Sequence, residues 1–145
     1  MKHMGLLAAF VTSAAAVPSF AMPVIGDLEQ GTDFETPACV VSNEAEKTLF
    51  AVPYQQMAMM KLNGRIVRFQ LVRGQKDLWS YTRRNERIDT RYRAGNYEIR
   101  IKGRVTDTCE EGEGDCEANE MSLSAQFKEG RRARNLNRLS GSCGV

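Results

Sequence analysis

The chain has 145 residues, of which 42% are hydrophobic and 26% charged, a composition typical of a single globular domain with a modest core. Its 20 lysines and arginines nearly balance its 18 aspartates and glutamates, so the net charge of +2 indicates neither a nucleic-acid partner nor a membrane surface. Neither of the common glycine-rich phosphate-binding motifs occurs, so nucleotide chemistry is not expected.

The first residues have the pattern of a cleavable signal peptide. Lys2 provides a positive start, residues 5–17 are uncharged and mostly apolar, and Pro18 precedes a short segment that ends at Ala21. A membrane-spanning helix needs about 20 apolar residues, and this stretch is shorter. We therefore expect residues 1–21 to be removed on export. The mature protein is expected in the periplasm or secreted, without insertion into the membrane.

Removal of this segment also removes His3, the one histidine of the chain. Histidine is the commonest general base and metal ligand, so we expect a protein that is not an enzyme and that carries no cofactor and no metal. A hydrolase that uses a pair of carboxylates remains an alternative. The acidic loop, residues 107–120, lacks the ligand spacing of an EF-hand, and whether it binds an ion is left open.

The mature chain contains four cysteines, and an even number in a small exported domain predicts two disulfides. A metal site is disfavoured because no Cys-x-x-Cys motif and no mature histidine are present. We expect Cys39 to pair with Cys143, which ties the two ends of the domain together, and Cys109 to pair with Cys116, which closes the acidic loop. Pairing of Cys39 with Cys109 is the main alternative.

The remaining sequence is organised as one domain with strand signals. Residues 22–37 carry prolines and glycines among acids without a period, so we expect a flexible leader followed by a single β-domain over residues 38–145. Asn63-Gly64 lies between two apolar runs and predicts a type I′ hairpin turn. Strands are predicted from apolar runs or from the alternation of apolar and polar residues at 48–52, 56–62, 65–72, 97–102, 121–128 and 132–140.

Strands at this short spacing, separated by Gly and Asn turns, predict an all-β fold. We expect a small antiparallel barrel or sandwich that is stapled by the two disulfides.

Several segments resemble the periplasmic inhibitors of C-type lysozyme. They are Leu49-Phe50-Ala51-Val52 after Cys39, then Ala58-Met59-Met60-Lys61-Leu62-Asn63-Gly64, Phe69-Gln70-Leu71 and Tyr97-Glu98-Ile99-Arg100-Ile101-Lys102-Gly103. The resemblance implies a small exported antiparallel barrel that plugs the lysozyme cleft with a loop and a basic residue. The segment from Cys116 to the C-terminus has no counterpart in that family.

The resemblance also implies the binding residues. Lys102 is the basic residue carried over, with Tyr97 just before it, and Arg93 stands where the family has a Ser-Gly insertion loop. The expected function is therefore a non-catalytic protein-binding or inhibitory module, similar to a lysozyme inhibitor, with a protein partner in the cell envelope or outside the cell. A structural or assembly component of the envelope is the alternative without catalysis.

Overall fold

The computed structural model describes residues 21–109 and 118–144. These residues form a closed antiparallel barrel in which each strand pairs with its neighbours in the chain and the last strand returns to the first. The strands are β1 (Ala38–Ser42), β2 (Thr48–Pro53), β3 (Ala58–Leu62), β4 (Arg65–Leu71), β5 (Arg87–Ala94), β6 (Tyr97–Asp107), β7 (Asn119–Glu129) and β8 (Arg132–Cys143), and a single 3-10 turn covers Leu78–Ser80. The all-β prediction is confirmed, and the architecture is the barrel, not the sandwich. No helix within these residues is long and apolar enough to cross a membrane.

The alternation of apolar and polar residues places one set of side chains inside the barrel. On β6 and β7 the inward set predicted from the sequence is buried, as at Ile101 and Phe127, except for Tyr97, which is partly buried. At the centre, the ring of Phe50 meets Phe69 and Tyr92 edge to face, at centroid distances of 6.3 and 5.0 Å. Eight strands leave an interior just wide enough for side chains, and these rings fill its centre.

The predicted hairpin at Asn63-Gly64 is confirmed. Both residues have positive φ values, 49° and 77°, as a type I′ turn requires, and they join β3 to β4. Strand β5 was not predicted, although its charged residues alternate with the buried residues Ile88, Thr90 and Tyr92. The basic character of this stretch hid an alternation of period two.

The barrel closes where β1 meets β8, through four residue pairs. Cys39 lies directly opposite Cys143 in this seam, and the two form a disulfide with a Cα–Cα distance of 4.0 Å. The predicted bridge is therefore confirmed, and the alternative pairing of Cys39 with Cys109 is excluded. Cys116 lies outside the described residues, so the second bridge stays a prediction. A disulfide is compatible with a location outside the cytoplasm.

The segment predicted to be a flexible leader, residues 22–37, is instead packed along the outside of the barrel. The amide of Gly26 donates to the carbonyl of Lys61 at 2.8 Å, and Leu28 and Phe34 are buried in a second apolar cluster with residues of β1, β2 and β3. The segment makes only isolated bridges, so it leaves no strand period in the sequence. Residues 1–20 lie outside the described part, and the signal peptide stays a prediction.

Candidate functional site

The outer face of β5, β6 and β7 carries a concentration of positive charge. Lys102 and Arg104 are two positions apart on β6, so both side chains leave the same face of the strand, and both are exposed. The register places Arg87 of β5 directly opposite Arg104, and Lys102 between Asp89 of β5 and Ser124 of β7. Three cations from two strands therefore lie side by side.

This arrangement is unfavourable for the isolated sheet, because like charges directly opposite one another in a sheet destabilise it. Elsewhere on this face the cations are balanced by acids. The guanidinium of Arg100 donates two hydrogen bonds to Asp89, at 3.0 and 2.9 Å, and this contact holds the pKa of Asp89 below its ordinary value. The carboxylate of Asp89 is thus hydrogen-bonded to Arg100, and the charge of Lys102 acts on it without a salt bridge.

No carboxylate among residues 21–109 and 118–144 forms a salt bridge with Arg87, Lys102 or Arg104. Within that part of the chain, the guanidinium of Arg104 donates one long hydrogen bond, 3.4 Å, to the carbonyl oxygen of Asn85. The repulsion between Arg87 and Arg104 is therefore not offset by a salt bridge within the described residues. Such an unfavourable local arrangement is characteristic of a functional site.

The three cations line an open groove, which we call the basic groove. The residues that line it are Arg87, Ile88, Lys102, Gly103, Arg104, Thr106, Ser122, Leu123 and Ser124. A Cβ atom on Gly103 would lie 1.9 Å from the carbonyl oxygen of Ser122, so only glycine allows β6 and β7 to approach as they do. Gly103, the glycine of the Lys-Gly pair in the resemblance, is therefore required for the packing of β6 against β7.

The groove combines two guanidinium groups, one ammonium group and hydroxyl groups, which can all donate hydrogen bonds. Guanidinium groups match the geometry of carboxylates and phosphates, and bonds to such anions are stronger than bonds between neutral groups. The site can therefore bind an anion. No cluster of three or more His, Cys, Asp and Glu that could hold a metal occurs within the described ranges.

No family model, curated protein or solved structure matches this chain.

The predicted site residue Tyr97 does not belong to the groove. It lies on the inner face of β6, where its ring stacks on Phe127 at 5.7 Å. Burial raises the pKa of Tyr97, and a hydrogen bond with Glu129 acts in the same direction. Lys102 lies on the opposite face, five positions further along the strand, which corresponds to about 17 Å.

Arg93 is also separate from Lys102. It lies at the end of β5, and its guanidinium contacts the carboxylate of Glu98 at 2.9 Å. Arg93 lines a different groove, together with Gln70 and Arg73. The structure thus brings Arg93 and Tyr97 to the same β5–β6 hairpin and leaves Lys102 apart from both.

Arg87, Arg104, Ser122 and Ser124 were missed as site residues. Alternation along β6 could have found Arg104, which shares a face with Lys102. Arg87 and the serines come from neighbouring strands, and only the register brings them beside Lys102. Residues 110–117 of the acidic loop, the segment considered for ion binding, lie outside the described part.

Proposed function

We propose that this protein is an exported, non-catalytic binding module whose basic groove binds a carboxylate-bearing surface of a protein partner. The observation that carries the proposal is the opposition of Arg87 and Arg104 beside Lys102, while none of the three forms a salt bridge with a carboxylate of the described residues. An incoming carboxylate relieves the repulsion and forms charge-assisted hydrogen bonds. The sheet tolerates the repulsion, and the partner's carboxylates supply the missing charge.

The specific form of the proposal is an inhibitor of C-type lysozyme. The resemblance assigns the contact to Lys102, and an antiparallel barrel agrees with the fold that the resemblance implies. The cleft of lysozyme contains two catalytic carboxyl groups, one of which stays ionised. The positive charge of the basic groove is complementary to the negative charge of such a cleft.

Three carboxyl groups of the described residues are unsuited to general-acid catalysis. Hydrogen bonds hold the pKa values of Asp33, Glu86 and Asp89 below their ordinary values, with the main contribution from a backbone amide at Asp33, from Lys76 at Glu86 and from Arg100 at Asp89. A general acid at neutral pH needs a raised pKa. These three groups are therefore suited to ion pairs.

The proposal is tested by the turnover of a C-type lysozyme on cell-wall substrate in the presence of the purified mature protein. We expect inhibition by the wild type, and a loss of about tenfold or more in inhibitory potency for Lys102→Ala, because a hydrogen bond to a charged group contributes about 1.5 to 3 kcal/mol. Lys128→Ala is the matched control, since Lys128 is an exposed lysine of β7 that does not line the groove.

Two results would count against the proposal. If the wild type leaves turnover unchanged, the lysozyme form of it fails. If Lys102→Ala is folded and inhibits as well as the wild type, the basic groove is not the binding surface.

A further inference from the structure

Strand β8 has a neighbour on both sides over only a third of its length. It pairs with β7 from Arg132 to Leu136 and from Leu139 to Cys143, but with β1 only from Ser140 to Cys143. In the described part of the chain, no backbone hydrogen bond and no isolated bridge reaches the other side of residues 132–139. This stretch of β8 is therefore an open sheet edge.

The hairpin geometry shows which backbone groups face outward. Gly130 and Arg131 form a two-residue turn, which makes Glu129 and Arg132 the hydrogen-bonded pair that closes the hairpin. Bonding alternates along an antiparallel strand, so the N–H and C=O groups of Ala133 and Asn135 point away from β7. A register shift between Leu123 and Ala125 marks the end of this regular stretch. We call residues 133–136 the open β8 edge.

The side chains around this edge are basic. Arg131 and Arg134 are exposed and form no salt bridge with any described residue, and Arg138 contacts Glu44 only at 3.8 Å, with both side chains exposed. Charged residues on an edge oppose pairing with a second copy, because the arginines of the two copies would face each other. The same charges favour an acidic strand, since opposite charges across a strand pair are stabilising.

We propose that the open β8 edge binds an extended acidic segment of a protein partner by β-strand addition. The main-chain groups of Ala133 and Asn135 supply the hydrogen bonds, and acidic side chains of the incoming strand lie opposite Arg134. This surface uses a strand that contributes nothing to the basic groove. Binding at the edge can therefore be tested without reference to lysozyme inhibition.

The probe is an acetylated and amidated decapeptide of alternating glutamate and valine, titrated into the mature protein by calorimetry at neutral pH. Asn135→Pro removes an N–H that points outward and leaves the hydrogen bonds to β7 intact. Proline is tolerated at such positions of edge strands. Arg134→Glu reverses the charge opposite the peptide. We expect each substitution to weaken binding at least tenfold, and a decapeptide with glutamine for glutamate to bind at least tenfold more weakly.

Arg68→Glu is the matched control, since Arg68 is an exposed arginine of β4 without a salt bridge to a described residue, and its binding is expected to equal that of the wild type. A decapeptide with N-methylated valines tests the backbone bonds on the wild-type protein, so the result does not depend on the folding of Asn135→Pro. The inference is overturned if no peptide binds, or if the N-methylated peptide binds with the same affinity as the unmethylated one. Self-association through this edge in sedimentation would also overturn it, because the occupant would then be a second copy.

Discussion

Replacing Gly103 with alanine is expected to lower the free energy of unfolding by about 3 kcal/mol or more, which places it among the most damaging single substitutions. The added Cβ would lie 1.9 Å from the carbonyl oxygen of Ser122 and 2.9 Å from its carbonyl carbon. These are backbone atoms of the neighbouring strand, so no rotation of a side chain can relieve the overlap. β6 and β7 must separate, and the barrel loses ladder hydrogen bonds.

Urea unfolding followed by circular dichroism measures this loss. Gly64→Ala is the matched control, because Gly64 also has a positive φ, 77°, but a Cβ there meets no atom within 4 Å. Its cost is limited to backbone strain, about 1 to 2 kcal/mol. Equal unfolding midpoints for the two variants would show that the close approach at Gly103 is not a constraint on the fold.

Replacing both Cys39 and Cys143 with alanine is expected to lower the free energy of unfolding by about 4 to 5 kcal/mol. The bridge spans 104 positions, and closing so long a loop restricts the unfolded chain strongly. The bridge also holds the seam between β1 and β8, which contains only four residue pairs. The loss is measured by urea unfolding of the oxidised proteins.

The double variant Cys109→Ala and Cys116→Ala is the comparison. A bridge between these two positions closes a short loop, and its removal is expected to cost about 2 to 3 kcal/mol. Mass mapping under non-reducing conditions tests whether this second bridge forms. A smaller loss for the Cys39 and Cys143 variant than for this one would contradict the role given to the seam.

Much of the barrel could be predicted because its physical cause is local. Alternation along β6 and β7 sorts side chains between core and solvent, and the positive φ values required at Asn63-Gly64 are a property of those two residues. The packing of Leu28 and Phe34 could not be predicted in this way. Their burial depends on an outer apolar surface of β1, β2 and β3 that exists only in the folded barrel.

The candidate site was also predictable only where its arrangement has a local cause. Lys102 was found through its position in a Lys-Gly pair, but the sequence did not separate it from Tyr97 and Arg93. Strand alternation places Lys102 and Tyr97 on opposite faces, so this separation was within reach. The neighbours of Lys102 depend on register between strands, and a shift of one residue in register would turn a different set of side chains to that face.

Binding through the basic groove is tested most directly by NMR, with isotope-labelled mature protein titrated with a C-type lysozyme. The expected result is that chemical-shift changes and line broadening concentrate at the amides of Arg87, Lys102, Gly103, Arg104, Ser122 and Ser124. Changes centred on the β5–β6 hairpin around Arg93 and Tyr97, or no changes at saturating lysozyme, would contradict binding through the groove.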